Sequence, residues 1–150
     1  NSGNLKFVPA ANANGAGYAA FTFQVQDNGA TANGGVDLDA TPRTMTVNVP
    51  SVNDAPVGTN NTVATLEDTA YTFTAADFGF TDPTDAASVA GANALLNVKI
   101  TTLPGAGSLE LSGVAVTAGQ FVSVANIYSG NLKFVPAANS NGAGYAAFTF

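Results

Sequence analysis

Cysteine and histidine are missing altogether from this chain of 150 residues, and charge of either sign is scarce at 9%. Without cysteine no disulfide can staple the fold, so an exported form must be locked by something else. Without cysteine and histidine, zinc sites of the Cys/His type are excluded. So are Cys or Ser nucleophiles activated by histidine. Four Lys/Arg stand against ten Asp/Glu, for a net charge of −6. That lacks the basic footprint a nucleic-acid partner requires, and none is expected. No apolar run approaches the ~20 residues that cross a bilayer, so direct membrane insertion is not expected either. A signal peptide is also lacking, as it would be in any window taken from inside a longer chain.

What remains is a chain that is 46% hydrophobic with 16 glycines and 7 prolines. It is too apolar for a disordered tail and too rich in turn residues for a helical bundle. The apolar period is mostly two. "YTFTA" at 71–75 sets Tyr71 and Phe73 against Thr72 and Thr74. "RTMTVNV" at 43–49 alternates Met45, Val47 and Val49 with Thr44, Thr46 and Asn48, and "FTFQVQ" at 21–26 alternates likewise. "NVKI" at 97–100 and "SLEL" at 108–111 follow the same rule. Alternation of this kind predicts strands with one buried and one wet face. "LPGAG" at 103–107 and "LSGV" at 111–114 predict turns between short antiparallel strands, and "DNGATANGG" at 27–35 predicts a polar loop. No stretch carries the period of an amphipathic helix. "TAADFGF" at 74–80 suggests one helical turn, with Phe78 and Phe80 plugging the core. Many short strands punctuated by Gly, Pro and Asn predict an all-β fold, an antiparallel β-sandwich.

The chain also repeats itself. "SGNLKFVPAANANGAGYAAFTF" at 2–23 returns at 129–150 at an offset of 127 residues, changed only from Ala13 to Ser140. A period of that length is the size of a domain and not of a solenoid turn or propeller blade, so tandem duplication of whole domains is expected. "VPSVNDAPVG" at 49–58, with Pro50 and Pro56, reads as the boundary. On this division residues 1–50 are the C-terminal strands of one repeat, 51–55 a connector, and 56–150 the first three-quarters of the next. Residues 1–50 then have three options. They can pair with an upstream segment, fold back onto 56–150, or complete a neighbouring molecule. Folding back ranks below the others, because the chain would have to reverse direction between Pro50 and Pro56.

The residues with chemistry are the acids, which cluster in loops and at strand ends. Asp54 lies in the connector. Glu67 and Asp68 are adjacent, Asp82 and Asp85 bracket "DPTD", Asp27 stands where a strand runs out, and Asp37 and Asp39 form "VDLD". Only Asp77 and Glu110 fall outside these groups. Solvated loop acids are one reading. Calcium is the sharper one: grouped carboxylates backed by loop carbonyls are what Ca²⁺ requires, and the cation relieves their mutual repulsion. A glycosidase pair is not favoured, because nothing marks a cleft. Tyr18 and Tyr145 are read as packing residues, with aromatic sugar platforms as the alternative.

"VNDAPV", "EDTAYTF", "FTDPTD", "LPGAGSLELSG" and the duplicated "LKFVPAANSNGAGYAAFTF", followed in its first copy by "QVQD", together resemble the bacterial cadherin-like tandem repeats of giant secreted, RTX-type adhesins. The resemblance spans essentially the whole chain. It implies an Ig/cadherin-like β-sandwich, stiffened by Ca²⁺, that extends a protein at the bacterial surface and acts mechanically, with no catalysis. It also implies that Asp54, Glu67 and Asp68 bind Ca²⁺ at the junction, that Asp82 and Asp85 form the acidic loop, and that Asp27 faces the same end. Ser51 and Ala55 stand where two polar ligands occur in animal cadherins, and no "DRE" tripeptide is present. One or two ions per junction are therefore expected rather than three. The alternatives are a self-assembling extracellular filament of the kind found in biofilm matrices, completed by strands of a neighbouring molecule, and, less favoured, a carbohydrate-binding module. Expected partners are neighbouring repeats or further copies of the chain, with surface glycans last.

Overall fold

The computed structural model describes residues 3–150; residues 1 and 2, where the first copy of the duplication starts, lie outside them. The chain divides into two compact units. One comprises the residues up to Asp54 together with Thr84–Ala92, the other Ala55–Pro83 together with Asn93–Phe150. Regular structure is predominantly antiparallel strand, so the fold is all-β.

The first unit is built on a two-stranded ladder of β1 (Gly15–Phe23) and β2 (Arg43–Val49). Its register sets Phe23 opposite Arg43, Phe21 opposite Met45 and Ala19 opposite Val47, with an irregularity between Gly15 and Ala19. The pairing continues past the strands. Asp27 donates its N–H to the Asp37 carbonyl at 2.8 Å, and Asp39 donates to Val25 at 2.8 Å. The alternating face that predicted β2 stays largely uncovered, since Met45 is 47% and Phe21 44% exposed. Residues 84–92 include most of the single-turn helix α1 (Pro83–Ala86), and the Val89 N–H reaches the Asn14 side-chain oxygen at 2.9 Å.

Every fully buried apolar side chain among the described residues belongs to the second unit. Its strands are β3 (Tyr71–Thr72), β4 (Asn97–Lys99), β5 (Ser108–Leu111), β6 (Val114–Ala115), β7 (Phe121–Ser123) and β8 (Leu132–Val135). They form one sheet in the order β3-β8-β5-β6 and a pair β4-β7. Both contribute to one core. Leu109 and Leu132 come from the larger sheet, Val98 and Val122 from the pair, and Phe73, Phe78 and Ile100 from the segments that flank them. Burying side chains of this size gains about 1.5–3 kcal/mol each.

Local sequence accounts for the connections. Ser112 and Gly113 both take positive φ (52° and 79°), as a two-residue turn whose twist suits the β5–β6 hairpin demands. At Gly107 a Cβ would stand 2.6 Å from the Val135 carbonyl, so only glycine fits beside β8. The expected helical turn is a 3₁₀ turn at Ala75–Phe78, with Phe78 buried and Phe80 half-buried. Two short helices were not expected, α1 and α2 (Val124–Tyr128). A helix of one turn is too short to display a period. α2 is instead specified by Ser123, whose hydroxyl accepts the Asn126 N–H at 3.3 Å, and by Ile127, which drops into the core.

Candidate functional site

In the first unit the acids line the strand ends and the connector. The Asp27 carboxylate accepts the Gly29 N–H at 2.8 Å, and Asp37 accepts from the Gln26 amide at 2.7 Å. Asp39 is paired to Arg43 at 2.9 Å and also accepts the Thr41 N–H at 3.0 Å. The guanidinium, and after it the Thr41 N–H, holds the Asp39 carboxyl below its ordinary range. Asp39 is therefore the predicted ligand already supplied with a cation. Asp54 and Asp85 meet directly, because the Asp54 N–H donates to the Asp85 carboxylate at 3.0 Å. Asp85 stands in the first turn of α1 and is 2% exposed.

In the second unit Glu67 and Asp68 do something the sequence did not announce. Asp68 accepts the Asn139 N–H at 2.8 Å, and Glu67 accepts from the Asn141 amide at 2.7 Å. The two carboxylates thus hold the loop that carries the second copy of the duplication. Asp68 itself sits at φ +62°, in a tight turn closed by the Thr69 N–H on Leu66. Asp82 follows the bridge between Val57 and Thr81, and it is 6% exposed. One of its oxygens accepts the Asn93 N–H at 2.7 Å. The other, Oδ1, is buried and has no hydrogen-bond partner among the described residues. A buried carboxylate oxygen without a partner is costly, and such an atom calls for an explanation.

The two acids left outside the predicted clusters have local tasks. Asp77 closes a reciprocal cap with Thr74, accepting its N–H at 2.7 Å. It also receives the Tyr71 hydroxyl on both oxygens at 3.2 Å. Burial, and then the negative charge of Asp77, pushes the Tyr71 phenol up from its ordinary value. The Thr-x-x-Asp spacing at 74–77 is the signal that points to this cap from sequence. Glu110 accepts the Ser108 hydroxyl at 2.8 Å along β5. Among the described residues no group of three or more acidic side chains is gathered closely enough to hold a metal ion by carboxylates alone. No helix among them is long and apolar enough to cross a membrane.

Tyr18 and Tyr145 play matching parts in the two copies. Each hydroxyl accepts a backbone N–H eight residues upstream, from Ala10 at 3.3 Å and from Ala137 at 3.2 Å. Each ring meets a phenylalanine edge-on, Phe7 at 5.9 Å and Phe134 at 6.2 Å. Compared with protein-family models, with characterised proteins and with solved structures, the chain matches none.

Proposed function

We propose that this chain is a stretch of a structural extender: tandem β-sandwich repeats of a bacterial cell-surface adhesin, stiffened by calcium and acting outside the cell without catalysis. Three features support the reading. The sequence repeats at the length of a domain, the fold is all-β, and the acids gather in loops and at strand ends. The observation that carries it is the buried, partnerless Oδ1 of Asp82. A hard anionic oxygen in that position suits a divalent cation, which takes oxygen ligands from carboxylates, loop carbonyls and water together. Asp82 is the first ligand we assign. Glu67 and Asp68 each commit one carboxylate oxygen to an asparagine, and they are assigned as secondary ligands in the same unit. In the other unit Asp54, Asp85, Asp27 and Asp37 are candidates, and Asp39 ranks last because Arg43 already neutralises it. The paired Tyr18 and Tyr145 contacts favour packing over a glycan platform.

Calcium bound only to the folded chain stabilises it by mass action, by about 2.7 kcal/mol at a hundredfold excess over Kd. The melting midpoint is therefore expected to rise with Ca²⁺ and fall with chelator. Asp82→Asn removes the buried charge while keeping the shape. The expected outcome is a metal-free protein at least as stable as the parent, with its calcium response reduced or lost. Thermal melts and calorimetric titration check both. A parent chain equally stable with calcium and with chelator contradicts the reading.

A further inference from the structure

Asparagine is followed by glycine four times in the chain, at Asn14, Asn28, Asn33 and Asn141. The pair is chemically labile, because a glycine has no side chain to hinder attack by its backbone nitrogen on the preceding asparagine. In that reaction a bond forms between the glycine nitrogen and the asparagine Cγ. The Cγ–Nδ2 bond breaks, and ammonia leaves with the proton of the glycine N–H. Water then opens the five-membered imide at either carbonyl. One product is aspartate, and the other is isoaspartate, in which the main chain runs through the side-chain carbon. Either way a neutral amide donor becomes a carboxylate.

What the change does depends on what the amide holds. Asn14 donates to the Asn12 carbonyl at 3.2 Å and accepts the Val89 N–H at 2.9 Å, and an accepting oxygen survives conversion. At Asn28 the attacking nitrogen is engaged, since Gly29 donates its N–H to Asp27 Oδ1 at 2.8 Å. Asn33 lies exposed in the polar loop. Asn141 differs from all three, because its amide donates to a carboxylate, Glu67 Oε2, at 2.7 Å. Next to it the Asn139 N–H donates to Asp68 at 2.8 Å, so two bonds tie this loop to the turn at 66–69. Glycine at 142 is required by the backbone. It takes φ 148°, which side-chain-bearing residues rarely adopt, although a Cβ there would meet nothing within 4 Å. Gly15 takes φ 146° inside the paired strand β1, so the conformation belongs to the local text in both copies. The fold thus demands the most permissive neighbour beside the one asparagine of the four whose amide faces an acid.

We propose that Asn141 is a modification site: it converts spontaneously to aspartate and isoaspartate, and the conversion unties the loop from Glu67. A carboxylate at 141 has no hydrogen to donate and meets Glu67 with like charge, with Asp68 adjacent. Water does not restore the amide, so the loop is released in one direction only. Calcium plays no part in this step.

The test ages the full chain in warm, mildly alkaline buffer with chelator throughout, so that a failure here leaves the calcium reading untouched. Peptide mapping is expected to find a gain of about one mass unit at residue 141, with isoaspartate detected by enzymatic methylation. Asn141→Gln should abolish the product there, because a glutamine must close a larger ring. The aged chain and Asn141→Asp should both show the Asn139 amide exchanging about two- to fivefold faster, as for other lost exposed polar ties. Adding Glu67→Gln to Asn141→Asp exchanges amide and acid across the contact, and slow exchange is expected to return. An Asn141 that stays intact while Asn28 and Asn33 convert overturns the proposal. So does an Asn139 amide that is unmoved in Asn141→Asp, or one that Glu67→Gln fails to restore.

Discussion

Residues 5–23 and 132–150 are the same text in two environments, and they agree in their turns and disagree in their strands. In both copies the asparagine at the loop corner takes a left-handed turn, Asn12 at φ 59° and Asn139 at φ 55°. The glycines that follow agree as well, Gly17 at 62° and Gly144 at 65°. The sole difference in sequence leaves the turn unchanged, because Ala13 and Ser140 each donate to the residue three before them, at 3.1 and 3.2 Å. Outside the loop the copies part. Leu132 is fully buried on β8, whereas Leu5 is 89% exposed in a segment with no ladder. Conversely, 15–23 is a paired strand and 145–150 is not. Turn geometry is set by residues that need particular φ values and by contacts a few positions apart. Strand state is set by whichever edge and core the rest of the chain provides.

The comparison breaks most sharply at its leucines. Leu132→Ala should cost about 2–5 kcal/mol, as for other fully buried leucines. Leu5→Ala should change stability by no more than about 0.5 kcal/mol, as at other exposed sites. Denaturant unfolding followed separately for the two substitutions checks the contrast, and similar losses would mean that the first copy also rests on a core.

A smaller effect sharpens the shared part. Tyr18→Phe and Tyr145→Phe each remove one hydroxyl that accepts a backbone N–H, with an expected loss of about 0.5–1.5 kcal/mol in the unit concerned. Both should loosen the adjoining loop to a similar degree, seen as matching changes in the amide shifts of Ala10 and Ala137. Divergent responses would show that the loop, too, depends on its surroundings.

Much of the fold is legible in the residues themselves. The alternation at 43–49 delimits β2 from end to end, and "SLEL" is β5. The turn at 112–113 and the helical turn beside Phe78 follow from glycine placement and aromatic spacing. What the sequence hides is context. Nothing in "LKFV" says that it is buried once and exposed once. Nothing in "EDT" says that Glu67 and Asp68 will be spent on Asn139 and Asn141, since that depends on two loops more than 70 residues apart meeting. The acidic clusters were visible as clusters in the chain, but their separation into different hydrogen-bonded settings was not. Asp39 is neutralised by an arginine four residues on, and Asp82 is carried inside with one oxygen bare.

Residue-resolved hydrogen exchange of the intact chain tests the central claim, that surroundings rather than sequence decide the strand state of the duplicated text. The account predicts slow exchange across Leu132–Val135, where β8 lies between β3 and β5, and unprotected amides at residues 5–8. Equal protection of the two stretches would contradict it.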